Sequence, residues 1–193
     1  MFTKGHQPAH KGKMTTTDPV KTLADMAKVK EVIGNDIRLQ ALWATATATA
    51  LRVGDLVKLT WDDAQDDGTT ITFTVLEGKT KKRRIIPMSV GASALLRKWR
   101  GICEHTHIFS GQRGTLSTAT WSRIVKDLCE RAGLVGSFAS HTCRKSHVRI
   151  QLDEYKTPLY VMMNVLGHSH ELQTMTYVGK LHTDVAKAYA NEI

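Results

Sequence analysis

The sequence predicts a domain of the α+β class that is mainly α-helical, with a small three-stranded antiparallel sheet on one side. Apolar residues recur at helical spacing over most of the chain. One stretch, residues 61–88, instead alternates polar and apolar residues around the turn signals Asp67-Gly68 and Glu77-Gly78. The chain has 193 residues, of which 41% are hydrophobic, so it can close a sizeable core as one domain without metals or disulfides.

The charge of the chain favours an anionic partner. Twenty-seven Lys and Arg against eighteen Asp and Glu give a net charge of +9. We rank nucleic acid ahead of a membrane surface, because no basic amphipathic helix with a strongly apolar face stands out. A soluble protein that is merely basic is the alternative on charge alone.

The cysteines and the hydropathy pattern favour a cytosol-like compartment. Three cysteines are an odd number and lack paired spacing, which favours reduced thiols in a cytosol-like environment. The sequence contains no apolar run of about 18 residues and no apolar signal-peptide core near its start. We therefore expect a soluble protein that is not exported by a standard signal.

The first third of the chain predicts a disordered basic arm followed by two helices. Residues 1–17 are polar, basic and without periodicity, so the folded domain is predicted to span 18–193. Asp18-Pro19 predicts the start of the first helix, with Asp18 as its cap, and Gly34-Asn35 its end. Asp36 can cap the second helix. We interpret the alternating Ala and Thr residues of 44–50 as its continuation, since small residues let two helices approach closely.

The next stretch combines a short helix with the sheet. Arg52 stands at the start of the helix, and Asp55 three residues on can orient the guanidinium, cap free amides or form an ordinary surface ion pair. Residues 79–84 at the tip of the second hairpin contain five cations in six positions. Like charges this dense repel one another unless an anion lies against them, although a solvated basic loop is the alternative.

Five further helices are predicted from capping residues and helical spacing. The first is capped by Ser89 and has apolar residues through Trp99, and the second starts at Thr115 or Ser117 and ends at Gly133. The third is opened by residues 140–144 and runs to Leu152, and the fourth starts at Thr157-Pro158 and ends at Gly167. The terminal helix is capped by Thr183 or Asp184. Residues 110–114 are predicted to form a loop.

Six residues carry side chains suited to phosphate chemistry: Arg52, Lys79, His141, Arg144, His168 and Tyr177. His141 and Arg144 are three residues apart on one helical face, and Tyr177 follows His168 by nine residues. Each of the six alone has an ordinary structural explanation. A metal site is the competing interpretation, since His105, His107, His141, Cys143, His168 and His170 are all possible ligands. Because no helical His-x-x-x-His pair and no Cys-x-x-Cys spacing occurs, we expect no metal.

In this order and with these flanks, the six residues resemble the catalytic domain of the tyrosine recombinases, the phage integrase family. The resemblance runs from about Asp18 to the end of the chain. Its motifs are Ala50-Leu51-Arg52-Val53-Gly54-Asp55-Leu56, Lys79 with Pro87, His141-x-x-Arg144, and Leu166-Gly167-His168 with Tyr177. Three positions depart from the family pattern: Ala50 replaces Gly, Asp55 replaces Glu, and Lys145 replaces a frequent His.

The resemblance implies the integrase catalytic-domain fold of DNA breaking-rejoining enzymes. Most family members carry a separate DNA-clamping domain before the catalytic one, and only about 17 residues precede Asp18 here. We therefore expect a stand-alone catalytic domain.

The resemblance also implies a role for each residue. Tyr177 would attack the scissile phosphate, Arg52 and Arg144 would clamp its non-bridging oxygens, and His168 would donate a further hydrogen bond. His141 would help to take the tyrosyl proton, and Lys79, or instead Lys81 or Lys82, would protonate the leaving 5′-oxygen. The expected DNA-binding residues are Lys81, Lys82, Arg83, Arg84 and Lys145, and no cofactor is expected.

The implied activity is site-specific DNA recombination (integration, excision or inversion) in the cytoplasm of a bacterial or phage-infected cell. The implied partners are double-stranded DNA with a specific site and three further copies of the chain in a tetramer, with accessory DNA-bending proteins as further candidates and no membrane. Two alternatives stay open: a catalytically silent DNA-binding protein of the same fold, and strand relaxation of the type IB topoisomerase kind.

Overall fold

The computed structural model describes residues 17–112 and 114–178, and it has the predicted α+β architecture. The helices are α1 (Leu23–Ile33), α2 (Ile37–Thr49), α3 (Val53–Leu56), α4 (Val90–Arg100), α5 (Thr118–Arg131), α6 (Thr142–Asp153), α7 (Leu159–Leu166) and α8 (Glu171–Val178). The strands are β1 (Ala64–Asp66), β2 (Ile71–Leu76), β3 (Arg83–Pro87), β4 (Ser110–Gly111) and β5 (Gly114–Thr115). The predicted terminal helix after Thr183, and all of the predicted arm except Thr17, lie outside the described residues.

Side-chain caps start three of the helices where the sequence predicts. The oxygens of Asp36, Ser89 and Ser117 accept hydrogen bonds from backbone N–H groups in the first turns of α2, α4 and α5. Each bond satisfies an amide that has no partner within its own helix. The Ala and Thr residues of 44–49 are helical as predicted, and α2 packs against α4 and α6.

The predicted helix start at Asp18 is wrong. Helix α1 begins at Leu23, and the side chain of Thr22 caps it by accepting a hydrogen bond from the Asp25 N–H at 3.0 Å. Asp18 instead bonds to the segment before α6, where its carboxylate accepts from the Ser137 N–H at 2.8 Å and its own N–H donates to the Ser137 carbonyl at 2.7 Å. Its carboxylate is thus already occupied by a distant part of the chain.

The predicted three-stranded antiparallel sheet is confirmed, with strand order β1-β2-β3. Phe73 of β2 pairs with Ile86 of β3, and the inward side chains of β2 are buried while the alternate ones are partly exposed. The predicted loop at 110–114 contains a second, two-stranded ribbon, in which Ser110 pairs with Thr115. Two residues per strand are too few to give a detectable alternation in the sequence.

Two apolar clusters fix the elements that surround the candidate site. The larger one includes Trp43, Phe73 and Trp121, all at most 1% exposed, and burial of one such side chain contributes about 1.5–3 kcal/mol. The smaller cluster joins Val148 of α6 to Met162 and Leu166 of α7, and Tyr177 of α8 packs against it. Helices α6, α7 and α8 therefore meet around Tyr177. Within the described residues, no helix is both long and apolar enough to cross a membrane.

Candidate active site

Arg144 is the buried centre of the candidate site. It lies in the first turn of α6 and is 3% exposed. Its guanidinium donates to the carbonyl of Ala50, which follows α2, and to the carbonyl of Leu166 at 2.8 Å, the last residue of α7. Carbonyls at helix C-termini have no intrahelical partner and carry partial negative charge, so they suit a buried guanidinium. Burial lowers the pKa of Arg144, yet a guanidinium keeps its charge at neutral pH.

Arg52 is oriented by a residue other than the one predicted. It precedes α3 with an extended backbone, so its side chain does not share a helical face with Asp55. Asp55 instead accepts a hydrogen bond from the Gly78 N–H at 2.9 Å. The Arg52 Nη1 atom lies 2.9 Å from Oε2 of Glu77. The predicted Arg52–Asp55 interaction is therefore wrong, and both residues contact the turn after β2.

Sequence reasoning missed Glu77, which it treated only as part of a turn. The Glu77 side chain is 2% exposed and accepts hydrogen bonds from Arg52, from the Thr80 hydroxyl at 2.6 Å and from Arg84 at 3.0 Å. Burial raises its pKa, but the bonds from Thr80 and Arg84 and the charges of Arg52 and Arg84 outweigh burial, so the pKa lies below its ordinary value. A signal was present in the sequence, since Glu77 is the one carboxylate in an otherwise cationic hairpin.

The predicted cationic turn contains both exposed and paired charges. Lys79, Lys81, Lys82 and Arg83 are exposed. Arg84 is largely buried, where it pairs with Glu77 and donates to the Thr49 carbonyl at 3.3 Å. Four of the five cations thus stay available to an anion, whereas Arg84 already has an intramolecular partner.

Tyr177 contacts a residue on each side of the site. Its hydroxyl oxygen lies 3.5 Å from Nδ1 of His141, the residue that precedes α6. Its ring meets the ring of His168 edge to face, with 5.7 Å between centroids. Burial raises the pKa of Tyr177 and lowers the pKa of His141, and the charges of Arg144, Lys145 and Arg52 lower the latter further. At neutral pH the phenol is therefore protonated and the imidazole is neutral.

His168 is held by a buried hydroxyl. Gly167 ends α7 in the left-handed conformation, at φ +70°, and so turns the chain towards the site. Nδ1 of His168 lies 3.0 Å from the hydroxyl oxygen of Thr174, which is fully buried in α8. A hydroxyl that donates to Nδ1 leaves the proton on Nε2, which can then donate to an anion. Burial, and then the charges of Arg144 and Arg52, lower the pKa of His168.

Lys145 contacts the nucleophile candidate. Its ammonium lies 5.1 Å from the centroid of the Tyr177 ring and donates to the Thr17 carbonyl at 2.8 Å. Burial lowers its pKa, although the charge of Asp18 raises it. The side chain thus has two partners within the chain. Its predicted contact with DNA stays a prediction.

The fold thus brings Arg52, His141, Arg144 and His168 together around the Tyr177 side chain. Five of the six predicted residues therefore share one site. Lys79 is exposed in the turn that follows Glu77. A cavity of about 280 Å³ separates this turn from His168, and Lys82, Arg83 and Arg84 line one side of it. Among the residues that the structure describes, no three His, Cys, Asp or Glu side chains are grouped so that they could hold a metal ion.

Sequence comparisons place this arrangement within a known family. The model of the phage integrase family matches residues 13–183. The chain is 29% identical over 157 residues to the tyrosine recombinase XerC of Xanthomonas axonopodis pv. citri, covering 79% of this chain and 50% of that protein. It is 30% identical over 160 residues to the tyrosine recombinase XerD of Brucella abortus biovar 1, covering 78% and 51%. The chain spans about half the length of these relatives.

Solved structures share the fold. The XerA recombinase superposes with a TM-score of 0.72 at 20% identity, covering 97% of this chain and 66% of that one. A lambda integrase tetramer bound to a Holliday junction superposes with a TM-score of 0.66 at 21% identity, covering 89% and 50%. The predicted catalytic-domain fold is therefore confirmed.

Proposed function

The chain belongs to the phage integrase family, and we propose that it is a site-specific DNA recombinase that cuts and rejoins strands through a 3′-phosphotyrosyl intermediate. The observation that carries this proposal is the position of Tyr177: a base candidate, His141, lies 3.5 Å from its hydroxyl, and Arg144 lies buried beside it. A protonated phenol with an adjacent neutral imidazole and a nearby guanidinium suits attack on a phosphate.

The two arginines would stabilise the phosphate. Arg52 and Arg144 carry planar guanidinium groups, which bind two phosphate oxygens better than an ammonium does. Arg144 is held by two backbone carbonyls and Arg52 by Glu77, so both groups are oriented before DNA binds. Donors that are already oriented need no reorganisation when charge develops on the phosphate. His168 would add a donor from Nε2 on the Tyr177 side of this cluster.

The proton transfers balance the two bond changes. As the Tyr177 oxygen forms its bond to phosphorus, the phenolic proton passes to His141. As the bond from phosphorus to the 5′-oxygen breaks, that oxygen takes a proton from Lys79, or instead from Lys81 or Lys82. Proton transfer by a positioned side chain contributes typically about 10²–10⁴-fold to a rate. Rejoining reverses both transfers, with the 5′-hydroxyl of a second strand as the attacking group.

The partners follow from this chemistry. Exchange of two duplexes requires four cleavages, so we propose a tetramer on DNA, as in the lambda integrase assembly on a Holliday junction. Double-stranded DNA with a specific site would be the substrate, accessory DNA-bending proteins are candidate helpers, and the cytoplasm would be the compartment. The exposed cations of the 79–83 turn would contact the DNA backbone.

Covalent capture tests the proposal without knowledge of the site. The protein is incubated with a pool of nicked duplexes that carry randomised arms, and DNA that stays attached after denaturation is sequenced. We expect an enriched inverted-repeat sequence joined to the peptide that contains Tyr177. The Tyr177→Phe variant should bind the enriched duplex with the same affinity and give no adduct.

The outcomes separate the alternatives. Binding without any adduct would indicate a catalytically silent DNA-binding protein. Relaxation of supercoiled DNA without a sequence preference would indicate topoisomerase-like activity. Adducts that persist in the Tyr177→Phe variant would refute the assigned nucleophile.

A further inference from the structure

Glu77 stands out because it is a buried acid in a site built for an anion. Its carboxylate lies among the positive charges that would bind phosphate, and it is 2% exposed. A buried carboxylate is costly unless it is paired and hydrogen-bonded. Glu77 meets both conditions, since its two oxygens accept from Arg52, Thr80 and Arg84.

The contacts of Glu77 come from separate elements. Arg52 precedes α3, Thr80 lies in the turn between β2 and β3, and Arg84 belongs to β3. Arg84 also donates to the Thr49 carbonyl at the end of α2. The Glu77 carboxylate therefore connects Arg52, a predicted phosphate-binding residue, to the hairpin that carries Lys79, the predicted proton donor.

A second contact runs parallel to the first. Asp55 of α3 accepts a hydrogen bond from the Gly78 N–H at 2.9 Å. Glu77 and Gly78 immediately precede Lys79, and each is bonded to a residue at or within α3. The backbone just before Lys79 is thus attached to the same short segment as Arg52.

We propose that Glu77 is a positioning residue that latches the lysine hairpin to Arg52, so that the phosphate clamp and the proton donor for the leaving oxygen occupy one fixed arrangement. The consequence for catalysis rests on the proposed recombinase function, whereas the latch itself does not. Without the carboxylate, Arg52 and Arg84 would face each other and Arg144 without a counter-ion, and like charges would drive the hairpin away.

The latch predicts a selective effect on the leaving-group step. Lys79 is exposed, so its reach depends on where the turn is held. A hairpin that moves freely would protonate the 5′-oxygen less often, while DNA binding by the exposed cations would continue. A substrate whose leaving atom is sulfur needs little protonation, because a thiolate is a far better leaving group than an alkoxide.

The first experiment measures the latch in the free protein. Hydrogen–deuterium exchange of the peptide covering 77–84 is compared among the unaltered chain, Glu77→Gln, Thr80→Val and the control Asp66→Asn. Asp66 is a paired carboxylate of the same sheet, bonded to Arg97 at 2.8 Å. We expect faster exchange in Glu77→Gln and Thr80→Val and no change in Asp66→Asn. Unchanged exchange in both hairpin variants would overturn the latch.

The second experiment measures the catalytic consequence. Single-turnover adduct formation is compared on the captured nicked duplex with either oxygen or sulfur at the 5′ leaving position. We expect Glu77→Gln to slow both substrates, because Arg52 loses its orienting carboxylate, and to slow the oxygen substrate at least about threefold more than the sulfur substrate, with unchanged or tighter DNA binding. An equal loss on both substrates would overturn a role through the hairpin.

A second variant and the exchange measurement separate a failure of the latch from a failure of the proposed recombinase function. Thr80→Val removes only a hydroxyl and leaves both ion pairs, so it serves where Glu77→Gln folds poorly. Faster hairpin exchange in a protein that forms no adduct with any duplex would refute the recombinase function and leave the latch standing.

Discussion

The hydroxyl oxygen of Tyr177 lies 3.5 Å from Nδ1 of His141, although 36 residues separate them in the chain. His141 immediately precedes α6, and Tyr177 is carried by α8. The small apolar cluster of α6 and α7, on which the Tyr177 ring packs, brings the two elements together. A helix N-terminus carries partial positive charge, which opposes protonation of a neighbouring imidazole and favours charge on a neighbouring phenol.

This pair predicts the pH dependence of DNA cleavage. The pKa of His141 is lowered from 6.5 by burial and by the charges of Arg144, Lys145 and Arg52. A lowered pKa keeps the imidazole neutral, and able to accept a proton, down to below pH 6.5. We therefore expect the single-turnover rate of adduct formation to stay level from pH 8 to 6.5 and to fall only in more acidic solution.

The His141→Gln variant tests that assignment. Gln cannot take a proton, so we expect a rate about 10²–10⁴-fold lower and no fall on the acid side. His105→Gln, which replaces a histidine outside the site, should retain the full rate and the same profile. If the acid-side fall persists in His141→Gln, another group takes the proton, and His168 becomes the candidate.

The contact between Lys145 and Tyr177 predicts a role in catalysis beyond DNA binding. An ammonium over an aromatic face contributes about 0.5–2 kcal/mol, which corresponds to a factor of about 2 to 30. We expect Lys145→Met to reduce the rate of adduct formation by such a factor and Lys145→Arg to retain most of it. Binding affinity is measured in parallel at two salt concentrations.

The binding data decide between the two roles of Lys145. A pure phosphate contact would weaken binding and reduce its salt dependence by about one counterion, without changing the cleavage rate of bound DNA. A contact that fixes the Tyr177 ring would change that rate and leave the salt dependence as it was. We expect the second result, because the ammonium already donates to the Thr17 carbonyl.

The buried Thr174 hydroxyl predicts the tautomer of His168. Thr174→Val keeps the shape of the side chain and removes the hydrogen bond to Nδ1. A hydrogen bond of this kind contributes about 0.5–1.5 kcal/mol, so we expect a loss of about 2- to 12-fold in cleavage rate with unchanged DNA affinity. Thr174→Ser retains the hydroxyl and is the matched control. Full activity in Thr174→Val would show that His168 is oriented by other contacts.

The sequence predicted most of the fold because capping and periodicity are local signals. Asp36, Ser89 and Ser117 cap the helices that they were expected to cap. The cap at Asp18 failed because its partner, Ser137, lies 119 residues away, and no local pattern encodes such a contact. The β4-β5 ribbon was missed for a different reason, since it has too few residues to alternate.

In the candidate site, too, long-range contacts were not predicted from the sequence. The resemblance to the phage integrase family singled out Arg52, Arg144, His168 and Tyr177 as candidates, but it did not reveal their supporting contacts. Asp55 was the expected partner of Arg52 because it is three residues away, but the extended backbone at Arg52 directs the side chain to Glu77 instead. A partner in the turn between β2 and β3 can be identified only once the sheet has been built.

Arg144 also predicts a stability effect that is separate from catalysis. Its guanidinium donates to the carbonyls of Ala50 and Leu166, at the ends of α2 and α7. Replacement by Met fills the space and leaves two buried carbonyls without their donor, each at a cost of about 1–3 kcal/mol. The loss of a buried charge next to Arg52 and Arg84 offsets part of that cost. We expect Arg144→Met to lower the free energy of unfolding by about 1–3 kcal/mol.

Urea denaturation followed by circular dichroism measures this difference. Lys126→Met is the control, because Lys126 is an exposed cation of α5 whose pairing with Glu130 at 3.6 Å contributes under about 0.5 kcal/mol. A midpoint for Arg144→Met equal to that of the unaltered chain would mean that relief of charge repulsion fully balances the two lost hydrogen bonds. Arg144 would then make no net contribution to the stability of the fold. A lower midpoint would mean that one guanidinium holds α2, α6 and α7 together, separately from its proposed role at the phosphate.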